Sequence, residues 1–187
     1  MNDVKTSKTH PLPLAGVTPA HGHGRILFTL CPGKVQPHAE TGPWDRSLSA
    51  DMDSIASAGA TALLTLMEEI ELQRCGLNSK VLREASSARR MHWLHNPIED
   101  FRTPSEAWET AWASIGQTLR QKLQNGETIV IHCRGGRGRA GMVAARLLIE
   151  SGMAPEEAVT LVRKERPEAI ETAEQEAHVR ACVPITP

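Results

Sequence analysis

No stretch of this chain approaches the roughly 18 consecutive apolar residues that a membrane-spanning helix needs, so no stable membrane insertion is expected. No charged segment followed by an apolar run opens it in the manner of a secretory signal. Four widely spaced cysteines, Cys31, Cys75, Cys133 and Cys182, form no CxxC pair, which fits a reducing, cytoplasmic setting. Charge of one sign is also lacking: 21 basic side chains face 22 acidic ones, for a formal net charge of -1. That balance gives no global pull toward nucleic acid or an anionic membrane, and no nucleic-acid partner is expected. His21-Gly22-His23, with His38 further on, lacks the spaced cysteines or carboxylates that would complete a metal site, so neither metal nor another cofactor is expected. No internal repeat is present, and nothing in the sequence fixes an oligomeric state.

What is there suits one compact domain: 187 residues, 40% hydrophobic and 23% charged. Residues 1–24 mix proline, glycine and polar residues without period, and read as a mobile leader tethered to a domain over 25–187. Within that domain, strands are expected over Arg25 to Cys31, Ala60 to Leu66, Arg90 to His95 and Thr128 to Cys133. Helices are expected over Leu48 to Ala58, Glu68 to Cys75, Lys80 to Ala88 and Thr172 to Cys182. A further helix is marked by Thr103 as cap, Pro104 at the first position and Glu106 closing a capping box. In it Trp108, Trp112, Ile115, Leu119 and Leu123 recur as a core stripe, and Asn125-Gly126 ends it. Val143, Ala144, Leu147 and Leu148 form another helix face, Gly152 stops that helix, and Pro155-Glu156-Glu157 begins the next. Helices alternating with short apolar strands predict an α/β sandwich, a central mostly parallel sheet flanked by helices, with its site at the strand C-termini.

The chemistry concentrates in Ile129-Val130-Ile131-His132-Cys133-Arg134-Gly135-Gly136-Arg137-Gly138-Arg139-Ala140-Gly141. A β-branched strand runs into a cysteine, then into a glycine-rich loop carrying arginines, then into a helix. Backbone N–H groups of such a loop favour an anion, and glycine lets the backbone curl around one. The same dipoles and guanidinium groups favour a thiolate, which makes Cys133 a ready nucleophile. Arg139, six positions on, returns over the sulfur, and its planar fork suits two phosphoryl oxygens. The phosphate-binding set is therefore Arg134, Gly135, Gly136, Arg137, Gly138 and Arg139. Arg134 and Arg137 add positive charge at the rim, which points to multiply anionic substrates unless the two simply face solvent.

The order His-Cys-x5-Arg, here HCRGGRGRAG, resembles the signature of the cysteine-dependent protein tyrosine and dual-specificity phosphatases. Upstream, Asn96-Pro97-Ile98-Glu99-Asp100-Phe101-Arg102-Thr103-Pro104 is similar to the acid loop of the phosphatase and tensin homologue group and of the kinase-associated dual-specificity phosphatases. Downstream, Ala169-Ile170-Glu171-Thr172-Ala173-Glu174-Gln175 is similar to their glutamine-bearing segment. The resemblance implies that Cys133 attacks phosphorus, Arg139 binds phosphate and Asp100 rather than Glu99 protonates the leaving oxygen, before water hydrolyses the phosphocysteine. It further implies that His132 orients the loop and that Gln175 stands near the attacking water. Ala140 departs from the family, which has Ser or Thr there to assist the departing thiolate. The implied partner is a phosphorylated substrate: a phosphoprotein, a phosphoinositide, an inositol phosphate or an acidic phosphopeptide.

Other readings compete. Ala140 keeps a phosphate-binding pseudophosphatase in view. A rhodanese-like sulfurtransferase also places a cysteine in an anion loop, but needs no acid loop. Gly136-x-Gly138-x-x-Gly141 formally matches a dinucleotide fingerprint, which would require a further strand ending in an acidic residue. In Trp44-Asp45-Arg46, the last two residues are expected to pair with one another or with the catalytic loop, and Asp45 is the rival to Asp100 as proton donor. An oxidised Cys133 would be open to capture by another of the cysteines.

Overall fold

The computed structural model describes residues 3–19 and 24–185. Along the chain run β1 (Ala15–Val17), β2 (Arg25–Thr29), β3 (Val35–Gln36), β4 (Trp44–Asp45), α1 (Leu48–Ser57), β5 (Ala60–Thr65), α2 (Glu69–Arg74) and α3 (Ser79–Ser87). There follow β6 (His92–His95), α4 (Glu106–Gln124), β7 (Thr128–His132), α5 (Gly138–Glu150), α6 (Pro155–Glu165) and α7 (Ala173–Arg180). Five strands form one sheet in the order β1-β2-β7-β5-β6, and β3 and β4 form a separate ribbon. All sheet pairings are parallel except β1 with β2. The expected α/β sandwich, a mostly parallel sheet between helices, is what the chain adopts.

The strand sequences show why both faces are covered. β7 is near-continuously apolar because it lies at the centre of a parallel sheet. Its Ile129 and Ile131 join Ile26, Phe28, Ala62 and Leu64 in the larger core, together with residues of α4, α5, α6 and α7. Its Val130 joins Leu27 and Leu63 in a second core with Met52 and Ile55 of α1. Trp108 and Trp112 are core residues as expected, each 2% exposed, with stacked rings 4.7 Å apart.

Two expectations are corrected. α4 is capped by Ser105, whose hydroxyl accepts from Trp108 N–H at 3.2 Å, so Thr103 and Pro104 lie in the loop before it. Ser105 has the extended backbone of an N-cap, from which its oxygen reaches the N–H three residues on. Over 3–19, the stretch read as a mobile leader is part of the domain instead. β1 edges the sheet, Leu12 and Val17 are 8% and 3% exposed, and Lys5 N–H donates to Pro43 O at 2.9 Å. Three residues of strand are too few to register as a period; their order comes from the β2 edge that they pair with.

Replacing Leu12 by alanine measures this packing. A loss of about 2 kcal/mol in urea-unfolding free energy is expected for a buried leucine, whereas a free leader would show no change.

Candidate active site

β2, β7 and β5 end level with one another: Thr29 and Thr65 are both in register with His132. Three connections therefore leave the sheet together. After β7 the chain forms the loop Cys133 to Arg137 and enters α5 at Gly138. The loop lies against the end of β2, where Cys31 N–H donates to Arg134 O at 3.4 Å. Gly136 has φ +65°, and a Cβ there would stand 2.3 Å from Leu30 N, so the close approach of two backbones requires glycine.

β6 delivers the proposed acid loop to the same place. Asn96 N–H donates to Thr65 O at 3.1 Å and Ile98 N–H to Leu66 O at 3.0 Å, extending the sheet pairing past the last strand residue. Trp108 Nε1 donates to Asn96 O at 3.0 Å, which ties the loop to α4. Asp100 then reaches across to the glycine-rich loop, where it pairs with Arg134, and its other oxygen lies 2.8 Å from Arg139 Nη2. Glu99 turns outward to Arg102 at 3.7 Å with both side chains exposed. Of the two carboxylates, only Asp100 faces the cavity.

Arg139 is 2% exposed, and its charge is satisfied by residues from three segments. Nη1 donates to Glu71 Oε2 at 2.7 Å and to Ile98 O at 2.8 Å, while Nη2 donates to Glu71 Oε1 at 2.9 Å. Burial opposes the guanidinium charge, but the Glu71 hydrogen bonds together with Cys133, Glu71 and Asp100 outweigh it, so the pKa stands above its ordinary value. Glu71 escaped the sequence reading, since a glutamate in a short polar helix carries no motif. Its one visible signal is the apolar company of Leu72, beside which it is 5% exposed.

His132 is wholly buried, and burial pushes its pKa down to about 3, so the ring is neutral. Its Nε2 lies 2.8 Å from Thr65 Oγ1, which already accepts from Trp93 Nε1 at 3.0 Å. Gln175 is also buried; its Oε1 accepts from Glu171 N–H at 3.0 Å and its Nε2 donates to Arg102 O at 3.3 Å. It stands under the loop beside Gly138, while Glu171 lines the cavity and accepts from Gly138 N–H at 2.9 Å. Ala140 is fully buried and packs in the main core.

The cavity has a volume of about 800 Å³, and Cys133, Asp100, Arg134, Gly135, Arg137 and Arg139 all line it. Lys34, Trp44 and Arg166 line it too, and none of them was singled out for the site from sequence. Arg166, the residue after α6, donates to Gly135 O at 3.0 Å and so braces the loop. The Trp44-Asp45-Arg46 expectation is corrected. Arg46 pairs with Asp51 through two contacts of 2.8 Å, and Asp45 is exposed and does not line the cavity. The dinucleotide reading has no second strand to use, because β7 is the last strand among the described residues. His21, Gly22 and His23 lie outside the described residues; among those described, no cluster of three metal-ligating side chains occurs. Also among them, no helix is long and apolar enough to cross a membrane.

Residues 45–179 match the family model described as the Swiss Army Knife protein, DSP-PTPase phosphatase domain. The chain is 28% identical over 158 residues to protein tyrosine phosphatase type IVA 3 of Mus musculus, covering 83% of this chain and 78% of that protein. It is 37% identical over 135 residues to cyclin-dependent kinase inhibitor 3 of Rattus norvegicus, covering 70% of this chain and 60% of that one. Among solved structures it is similar to kinase associated phosphatase carrying a serine for its catalytic site cysteine. That likeness has a TM-score of 0.77 at 24% identity, over 90% of this chain and 92% of the other.

Two measurements check this architecture. Glu71→Gln removes one side of a buried ion pair and is expected to cost about 3 kcal/mol of unfolding free energy. His132, neutral when folded with a pKa near 3 but ordinary at about 6.5 when unfolded, favours the folded state above pH 6.5. As pH falls from 6.5 toward 3 the unfolded chain binds the extra proton, so stability declines by up to about 1.4 kcal/mol per unit. Urea midpoints of His132→Asn should fall less steeply across that window.

Proposed function

The chain belongs to the cysteine-dependent dual-specificity and tyrosine phosphatases, and from that premise we propose that it hydrolyses phosphomonoesters through a phosphocysteine formed on Cys133. One observation carries the reading: Asp100 from the loop after β6 and Arg139 from the first turn of α5 meet at 2.8 Å in the cavity that Cys133 lines. An arriving phosphate takes Arg139 Nη2 from Asp100, leaving the carboxyl group beside the ester oxygen. Cys133 Sγ then bonds phosphorus as the ester P–O bond breaks, and Asp100 gives its proton to the departing oxygen. Water next attacks phosphorus, Asp100 takes the water proton, and the S–P bond breaks to return the thiolate and free phosphate. Charge on the equatorial oxygens is held throughout by Arg139 and the loop from Arg134 to Arg137, since the Gly138 N–H donates to Glu171 instead.

Glu71 holds the Arg139 fork in plane, and His132 fixes the loop base as a neutral ring. Gln175 ties the acid loop to the start of α7, a position from which it supports the water-directed step indirectly. The substrate is a phosphoprotein, on Tyr or on Ser/Thr, or another multiply anionic phosphate ester, with phosphoinositides and inositol phosphates as the lipid-type alternative. The chain is proposed to work in the cytoplasm and without a metal ion.

Ala140 favours a second reading. The side chain after Arg139 is a methyl group buried in the core, so no hydroxyl from that position assists the departing thiolate. A module that binds phosphate with little turnover fits that substitution. Ala140→Ser should speed release of phosphate from the intermediate if the chain is an enzyme.

The deciding assay is phosphate release from aryl and alkyl phosphates in the presence of a chelator. Cys133→Ser should abolish turnover yet retain vanadate or phosphate binding. Asp100→Asn should lower kcat by about 10² to 10⁴-fold and remove the high-pH limb of a bell-shaped profile. Activity that survives Cys133→Ser, or that the chelator removes, rules out the thiol mechanism; binding without release in the wild type establishes the pseudophosphatase.

A further inference from the structure

The cavity is larger than one phosphate needs and its charge is uneven. Lys5, Lys34, Arg134, Arg137, Arg139 and Arg166 line it, against the carboxylates Glu40, Asp100 and Glu171. Asp100 is engaged by Arg134 and Arg139, and Glu171 accepts from the Gly138 N–H. Lys34 differs from the other cations. It is only 6% exposed, yet among the described residues no carboxylate lies within ion-pair distance of it and its ammonium makes no hydrogen bond. Buried lysines are rare without a partner, because desolvation of the ammonium is costly. Here burial does lower the Lys34 pKa; the Cys75 and Cys31 thiols act against that shift and Arg134 adds to it.

Trp44 gathers the charge. Lys34 Nζ lies 5.2 Å from its ring centroid and Lys5 Nζ 5.0 Å, so one indole at the cavity wall carries two ammonium groups, of which Lys5 also donates to Thr41 O. Arg46 is 5.9 Å from the same centroid, but Asp51 neutralises it. Among the described residues neither lysine has a carboxylate within ion-pair distance. Cations that line a cavity with no carboxylate within ion-pair distance are suited to an anion that arrives with the ligand.

We infer that Lys34 and Lys5, set against Trp44, form a second anion subsite in the catalytic cavity, and that the substrate is a small ester carrying two phosphates on one scaffold. The inference rests on the phosphatase reading above and narrows its substrate class. The second phosphate binds Lys34 while the first faces Cys133 and Arg139. A compact scaffold fits better than a peptide chain because Lys34 is buried at the wall rather than exposed at the rim.

The test uses phenyl phosphate, meta- and para-phenylene bisphosphate, biphenyl-4,4′-bisphosphate and a doubly phosphorylated peptide. Wild-type kcat/KM should favour at least one aryl bisphosphate over phenyl phosphate by about tenfold, chiefly through KM, as one charge-assisted contact provides. Lys34→Met should erase that preference, and Lys34→Arg should restore part of it. The inference is overturned if the wild type shows no preference beyond the statistical advantage of two equivalent phosphates, if Lys34→Met lowers both ester classes equally, or if only the peptide gains. Calorimetric titration of the same esters onto the Cys133→Ser protein and its Lys34→Met double variant reads the subsite without turnover. Failure of the hydrolytic reading therefore still leaves the subsite decided: a bisphosphate preference lost on Lys34→Met upholds it, and equal affinities overturn it.

Discussion

The buried guanidinium of Arg139 is the constraint around which the rest is arranged. A charge at 2% exposure is tolerated only with close anionic and carbonyl partners, and these arrive from α2, the acid loop and the end of β5. Each partner fixes an element in turn. Glu71 explains why a short polar helix follows β5, and the pairing with Asp100 explains why the loop after β6 folds inward.

The sheet supplies the place of meeting. β2, β7 and β5 finish level at Thr29, His132 and Thr65, so their connections share one edge, and the site stands where parallel strands end. His132, buried and neutral, lets the central strand carry a polar ring to that edge without an uncompensated charge. Pairing continues beyond the strand ends through Asn96 and Ile98, which carries the backbone leading to the proposed proton donor to that edge. Family membership and the fold likeness agree with this arrangement.

Local pattern carried much of the fold into view. The apolar run Ile129-Val130-Ile131, the alternation of strand and helix signals and the glycine-rich turn depend on near neighbours alone, and each appears where its pattern placed it. β1, β3 and β4 escaped because strands of two or three residues have no period to detect; their hydrogen bonds come from segments distant in the chain. The Ser105 cap was missed for a related reason, since Thr103-Pro104-Ser105 offers two chemically equivalent caps and short-range pattern does not choose between them.

For the site, the sequence alone determined the chemistry on offer: a cysteine at the end of a buried strand, a glycine-rich turn into a helix, and an arginine six residues on, because these lie within one continuous stretch and obey local geometry. It also set Asp100 beside Glu99 as the candidate acids. Tertiary structure decided which of the two faces the cavity, that Asp45 does not, that Glu71 secures Arg139, and that Lys34 and Trp44 stand on the same wall. Those facts rest on contacts between residues tens of positions apart, where charge, burial and backbone direction act together and no short-range pattern records the outcome.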